Sequence, residues 1–210
     1  MNTLVNRIID ISYKYNLSHI GSCLSTLPIL EEIYRDKEDQ DIVVLSNGHA
    51  GLAQYVILEK LYGYDAEKLL EEYGIHPCRD ISKNIQVSSG SLGCGLAIST
   101  GIALANRDKK VYCIISDGEC AEGIIWEALS FICLNKLENL KVYVNVNGYS
   151  AYDSINKNYL EQKLKSFLPN IKIYNTSSEL PFAKGIDAHY KTIKENDYKE
   201  FINLKYREEL

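Results

Sequence analysis

The sequence predicts an α/β fold, a mostly parallel sheet with helices on both faces. Three observations carry that prediction. Residues 109–116, KKVYCIIS, form a continuous apolar run of the kind a parallel sheet buries on both faces. Residues 140–147, LKVYVNVN, repeat the pattern after a helical stretch at 121–135, which makes a βαβ unit. A helical segment near 158–167, followed by IKIYN at 171–175, continues the alternation.

In chain order, helices are predicted at 2–15 and 26–35, the second with Ser25 or Thr26 as cap and Pro28 in its first turn. DIVVLS (41–46) reads as a short buried strand, and a helix follows from about 50 to 62. Asp65 starts another helix across DAEKLLEEY (65–73). Residues 74–90 lack periodicity and contain His76-Pro77, which predicts an extended loop. SGSLGCGLAISTGIALANR is a Gly-rich turn opening a small-residue helix, and the tail from Asn196 is expected to be a surface helix. With no repeat, low-complexity tract or linker, residues 1–210 are expected to form a single domain.

Bulk composition narrows the function classes. At 46% hydrophobic and 24% charged, the chain reads as a soluble globular protein. A net charge of −5 with scattered lysines offers no basic stripe for nucleic acid. No apolar run approaches membrane-spanning length, and the first residues lack a secretory core, so a cytoplasmic location is expected. The six cysteines have no Cys-x-x-Cys spacing and no nearby His pairs, and they are read as reduced and structural.

CIISDGECAEGIIWEAL (113–129) is an apolar strand that stops at Asp117-Gly118 and restarts as a helix carrying Glu119 and Glu122 in its first turns. Acids there suit the positive end of a helix. Asp117 ends one strand and Asn147 the next, at the carboxyl edge where open α/β sheets bind ligands. Neighbouring strands lie roughly 5 Å apart, so a carboxylate and an amide oxygen can share a hard cation there. Mg²⁺ keeps waters or phosphate oxygens in its shell, and Gly118 and Gly148 let the backbone approach a diphosphate. The plainer reading makes Asp117 a helix cap and Asn147-Gly148 a turn. Finding both on consecutive strands favours a metal-bridged diphosphate site.

Asp117-Gly118, the spacing of thirty to Asn147 and the glycine after it resemble the thiamine-diphosphate signature. SHIGS (18–22), LSNGHAG (45–51), IHP (75–77), SGSLGCGLA (89–97) and SDGECAEGIIWEA (116–128) narrow the resemblance to the transketolase family. It covers residues 1 to about 155, with a weaker echo in KGIDAHYK (184–191). The resemblance implies the family's thiamine-diphosphate-binding (PP-domain) fold. It also implies that Asp117, Asn147 and the carbonyl of Tyr149 hold Mg²⁺, or Ca²⁺ or Mn²⁺ in its place. Gly118, with Glu119 beside it, and His49 would meet the diphosphate, while Gly90, Ser91 and Leu92 line the cofactor. His19 and His189 would hydrogen-bond the substrate oxygen at the breaking bond, and His76 the hydroxyl of the two-carbon fragment. Glu122 would touch the neighbouring protomer and couple paired sites. The chain's four histidines all fall on these positions.

Departures from the family pattern accompany the match. Ser18 and Ser116 stand where glycines are expected before His19 and Asp117. Ile75 replaces the glycine before His76-Pro77, and Cys94 replaces a glutamine. The stretch from Asn156 to Lys184 is short for the family, as though a helix–strand segment were missing. The sequence reads as one that stops before a pyrimidine-binding domain, so the activating glutamate is expected on another polypeptide. The resemblance therefore implies the diphosphate-binding subunit of a split transketolase, moving a two-carbon ketol unit from a ketose to an aldose. It would be inactive alone and active in an α2β2 assembly with a separate C-terminal subunit, on sugar or sugar phosphate substrates. Two alternatives share the Asp-Gly…Asn core: a subunit of a two-chain 2-oxoacid decarboxylase or dehydrogenase, and a non-catalytic thiamine-fold scaffold. A dinucleotide site is disfavoured, because GSLGCG lacks the Gly-x-Gly-x-x-Gly spacing.

Overall fold

Four parallel strands lie side by side in chain order: β1 (Ile42–Leu45), β2 (Val111–Ser116), β3 (Leu140–Val146) and β4 (Lys172–Asn175). The computed structural model describes residues 3–150, 153–176 and 187–208. Each strand sends alternate side chains to opposite faces. Val43, Leu45, Tyr112, Ile114 and Tyr143 join one core; Val44, Val111, Cys113, Ile115, Val142 and Val144 join the other. β2 is buried along its whole length, as its uninterrupted apolar run predicts.

The first face is covered by α1 (Thr3–Lys14), α2 (Ile20–Asp36), α3 (Gly51–Tyr62) and α4 (Ala66–Tyr73). The second is covered by α5 (Cys94–Ala105), α6 (Gly123–Leu134) and α7 (Lys157–Phe167). Asp65 caps α4 by accepting from the Glu67 and Lys68 N–H groups, and Asn156 caps α7 through Tyr159. The 74–90 loop is tied down by the Ser89 N–H on Pro77 O at 2.9 Å and by a bridge between Asp80 and Ile85.

Two expectations fail. The second helix begins at Ile20, so Pro28 lies in its interior and Ser25 and Thr26 are buried side chains rather than caps. His19, in the left-handed region at φ 60, makes the break instead. Glu119 and Glu122 do not share one helix: Gly118–Ala121 forms a separate tight 3₁₀ turn, and Glu122 is the residue before α6.

The tail helix α9 (Glu195–Glu208) is less superficial than its polarity suggests. Phe201 and Ile193 pack on Ile9 and Ile20, and Tyr198 stacks on Tyr13 while donating to Asp10 at 2.8 Å. That docking brings the short helix α8 (Asp187–Tyr190), which carries His189, against the start of α2. Cys23, Cys113 and Cys120 are buried, whereas Cys78 and Cys133 are exposed, so a packing role does not extend to those two. Among the described residues no helix is long and apolar enough to cross a membrane. The short stretch between Asn156 and Lys184 lies partly outside the described residues.

Candidate active site

The carboxyl ends of β1, β2 and β3 open into a cavity of about 180 Å³. Ser116 pairs with Asn145, so Asp117 and Asn147 leave the sheet at adjacent tips. The Asp117 N–H still donates to the Asn145 carbonyl at 3.0 Å. Asp117 is 2% exposed. One carboxylate oxygen accepts from the Gly118 N–H at 3.1 Å and the other from the Gly148 N–H at 2.7 Å. Burial pushes its pKa up to about 6 against those two donors and Lys157. Asp117 thus caps its own turn and also accepts across from the next strand.

A cation fits this arrangement on two grounds. Asp117 is a buried carboxylate whose surroundings leave its charge undercompensated. The oxygens beside it, the Asn147 amide and the Tyr149 carbonyl, are hard donors that suit Mg²⁺, Ca²⁺ or Mn²⁺. The Tyr149 carbonyl oxygen would stand 4.0 Å from a Cβ placed on Gly118, and no atom closer than 3.6 Å would meet that Cβ. An added Cβ at Gly118 would therefore make only ordinary contacts. Gly48 does the opposite: a Cβ there would lie 2.5 Å from Ser89 Oγ and 2.8 Å from Gly90 N, so glycine alone admits the loop.

The four histidines gather on the same cavity. His19 and His49 have ring centroids 5.4 Å apart, and His19 and His189 6.5 Å. The His19 N–H donates to the His189 carbonyl at 2.7 Å, fastening α2 to α8. Burial, with smaller contributions from neighbouring histidines, pushes His49 down to about 3 and lowers His19. Burial also lowers His189, against a hydrogen bond to the Tyr149 carbonyl. The lowered values favour the neutral form of all three imidazoles at pH 7. His76 is exposed at the rim, with Gly90 close beneath it: a Cβ on Gly90 would lie 3.2 Å from the His76 ring.

Residues 2–170 match the family described as transketolase, thiamine diphosphate binding domain. The chain belongs to the transketolase family. It is 34% identical over 161 residues to a subunit of the apulose-4-phosphate transketolase of Phocaeicola vulgatus, a match that takes in 67% of this chain and 57% of that protein. A transketolase of Staphylococcus aureus is 29% identical over 238 positions, covering 98% of this chain and 36% of its own length. The crystal structure of transketolase from Campylobacter jejuni superposes with a TM-score of 0.60 at 26% identity, over 80% of this chain and 32% of that one. The chain thus spans little more than half of the first relative and about a third of the other two.

Against the transketolase motifs, most of the expected residues converge. Gly90, Leu92, Asp117, Gly118, Asn147 and Tyr149 line the cavity with the histidines. Ser91 does not; it is exposed beside the glycine turn and accepts from Cys94 Sγ at 3.3 Å. Glu119 does not either. It is fully buried, with its carboxylate turned inward onto Ser46, Gly93 and Ser116. Glu122 is exposed at the start of α6, away from the cavity. His189 is 7% exposed, with Nδ1 3.2 Å from Ser22 Oγ and its ring bonded to the Tyr149 carbonyl, so it braces two walls of the site.

Ser22, Ser116, Ser150 and Tyr190 also line the cavity and were missed by sequence reasoning. Ser22 and Tyr190 were findable, since Ser22 follows His19 by one helical turn and Tyr190 is next to His189. Lys157 was not. Its ammonium donates to the Val146 and Thr176 carbonyls, both at 3.3 Å, and only the fold brings those strand ends to it.

Proposed function

We propose that this chain is the diphosphate- and metal-binding subunit of a two-chain, thiamine-diphosphate-dependent transketolase that moves a two-carbon ketol unit from a ketose to an aldose. The observation that carries the reading is the convergence of the Asp117 and Asn147 strand tips, the Tyr149 carbonyl and four histidines on one cavity. Thiamine diphosphate, when bound, supplies the electron sink for cleaving a carbon–carbon bond.

In this reading Asp117, Asn147 and the Tyr149 carbonyl hold Mg²⁺. Gly118 and His49 receive the diphosphate, and Gly90 and Leu92 support the cofactor's body. His19 and His189 hydrogen-bond the substrate oxygen at the breaking bond, and His76 holds the hydroxyl of the two-carbon fragment. Neutral imidazoles at His19 and His189 suit this work, because each offers one N–H donor and one acceptor nitrogen for hydrogen bonds. The histidine motifs favour ketol transfer over a 2-oxoacid decarboxylase, which needs only the Asp-Gly…Asn core.

The activating glutamate belongs, in this proposal, to a pyrimidine-binding domain on a second polypeptide. Support comes from the similarity to the P. vulgatus protein, whose name makes it one subunit of a transketolase. An α2β2 assembly is supported by the uncovered apolar faces of α5 and α6, where Ile98, Leu104, Phe131 and Leu134 are exposed, with Glu122 at the end of the same surface. Residues 1–210 act as one shortened domain. The alignment to the S. aureus transketolase runs over more positions than this chain has residues, so that relative carries segments absent here. A cytoplasmic setting fits six free thiols.

The test is reconstitution. Co-purified with a pyrimidine-domain chain, the protein is expected to consume a ketose donor in the presence of an aldose, Mg²⁺ and thiamine diphosphate, and to do nothing alone. Asp117→Ala is expected to abolish the rate. An unchanged rate would favour a scaffold, and turnover of 2-oxoacids in place of ketoses would favour the decarboxylase class.

A further inference from the structure

We infer that Glu119 is a positioning residue: its buried carboxylate clamps together the three chain segments that form the cofactor edge. The inference rests on the cofactor reading above and gives Glu119 a role other than cofactor contact. One carboxylate oxygen accepts from Ser46 Oγ at 2.6 Å and from the Gly93 N–H at 2.9 Å. The other accepts from the Ser116 N–H at 2.8 Å and Ser116 Oγ at 3.3 Å. These donors come from the end of β1, the glycine turn before α5 and the end of β2, and each lies within three residues of one that lines the cavity. Ser46 leads into Asn47-Gly48-His49, Gly93 follows Leu92, and Ser116 precedes Asp117. A Cβ on Gly95 would lie 2.6 Å from the Ser46 backbone, so α5 is seated directly on this clamp.

The chemistry of the clamp requires a carboxylate of this length. Four donors converge on two oxygens, and a carboxylate alone among side chains has only acceptors to offer them. Glutamine keeps the shape but turns an NH₂ group onto one pair in either orientation; the serine hydroxyl of that pair can turn to accept, but its backbone N–H cannot, which leaves two donors opposed in a buried site. Aspartate is one methylene too short to reach both strand ends. The Ser116 hydroxyl supplies a donor where the family pattern has glycine, so this chain ties the clamp more tightly than that pattern requires.

The test is calorimetric titration of the chain, paired with the pyrimidine-domain chain, with thiamine diphosphate and Mg²⁺ at a temperature where each variant is fully folded. Glu119→Gln is expected to weaken cofactor binding at least tenfold. Ser46→Ala, which removes a single neutral hydroxyl from the clamp, is expected to weaken it about threefold and serves if the first variant does not fold. A merely structural role would lower the melting temperature and leave the dissociation constant alone. Affinities within twofold of the unaltered chain for the folded variants would therefore overturn the inference. Absence of binding by the unaltered pair of chains would instead overturn the cofactor reading on which it rests.

Discussion

Asp117 is held in a charge state that its burial opposes. A rise from the ordinary value to about 6 corresponds to something on the order of 2–3 kcal/mol against the ionised, metal-free form above that pH. The folded chain keeps a proton on Asp117 between about pH 4 and 6 that the unfolded chain releases. This contribution therefore favours folding in acid and is lost as pH rises through about 6. Asp117→Asn removes the buried charge but turns an NH₂ group onto the Gly118 or Gly148 N–H, so it is expected to leave the melting temperature of the metal-free chain at pH 8 little changed and to make it insensitive to Mg²⁺, where that of the unaltered chain is expected to rise; scanning calorimetry with and without Mg²⁺ checks both. His49 has the opposite sign. Its folded pKa of about 3 lies below the unfolded value, so its share of stability is present above about pH 6.5 and is lost as pH falls towards 3. With His19 and His189 shifted the same way, the chain is expected to lose stability from pH 7 to pH 5, and His49→Gln to flatten that slope in denaturant melts taken at both pH values. At this scale the histidines were legible because each sits in a short ordered motif. Glu119 was not, because the 3₁₀ turn after Gly118 rotates inward a carboxylate that its position beside Asp117-Gly118 had suggested would face the cofactor.

The strands were readable because a parallel sheet covered on both faces demands uninterrupted apolar residues, and Val111–Ser116 supplies them. The start of α2 was hidden for a comparable physical reason. Ser22, Ser25 and Thr26 look like capping residues, yet small hydroxyl side chains also let a helix lie close to a sheet, and here Ser25 and Thr26 accept from Asn145 at 2.9 and 3.0 Å. Pro28 consequently stands inside α2, exposed, where an interior proline costs roughly 3 kcal/mol relative to alanine. Its stiffening of the unfolded chain offsets up to about 1 kcal/mol of that. Pro28→Ala is expected to stabilise the protein by about 1–2 kcal/mol, read as a higher urea midpoint at unchanged slope; a lower midpoint would mean that the packing of α2 has adapted to the kink. The polar tail helix α9 was readable as a helix but not as an anchor, because its packing rests on Phe201, Tyr198 and Ile202, with Ile193 just before it, and these do not stand out in sequence.

Over the whole molecule, one surface departs from the usual pattern of a charged exterior. α5 contains no charged residue, and α6 contains only Glu127, yet each leaves a face uncovered. Leu134 is 78% exposed, with Phe131, Ile98 and Leu104 each above 40%. Scattered exposed apolar side chains are ordinary, but several on two adjacent helices make a patch of the kind that marks a protein interface. The same helices begin at the glycine turn and at Glu122, although Leu104, Phe131 and Leu134 lie towards their other ends. In the proposed assembly the cover on these helices is a second copy of this chain, and the apolar face and the coupling role of Glu122 then belong to one contact. Leu104→Lys combined with Phe131→Lys places like charges on each copy without touching the cavity or the clamp. Light scattering on the purified chain is expected to show the unaltered protein as a dimer and the double variant as a monomer with the same far-ultraviolet dichroism. If the double variant stays dimeric, the second copy sits elsewhere and Glu122 does not lie at its interface.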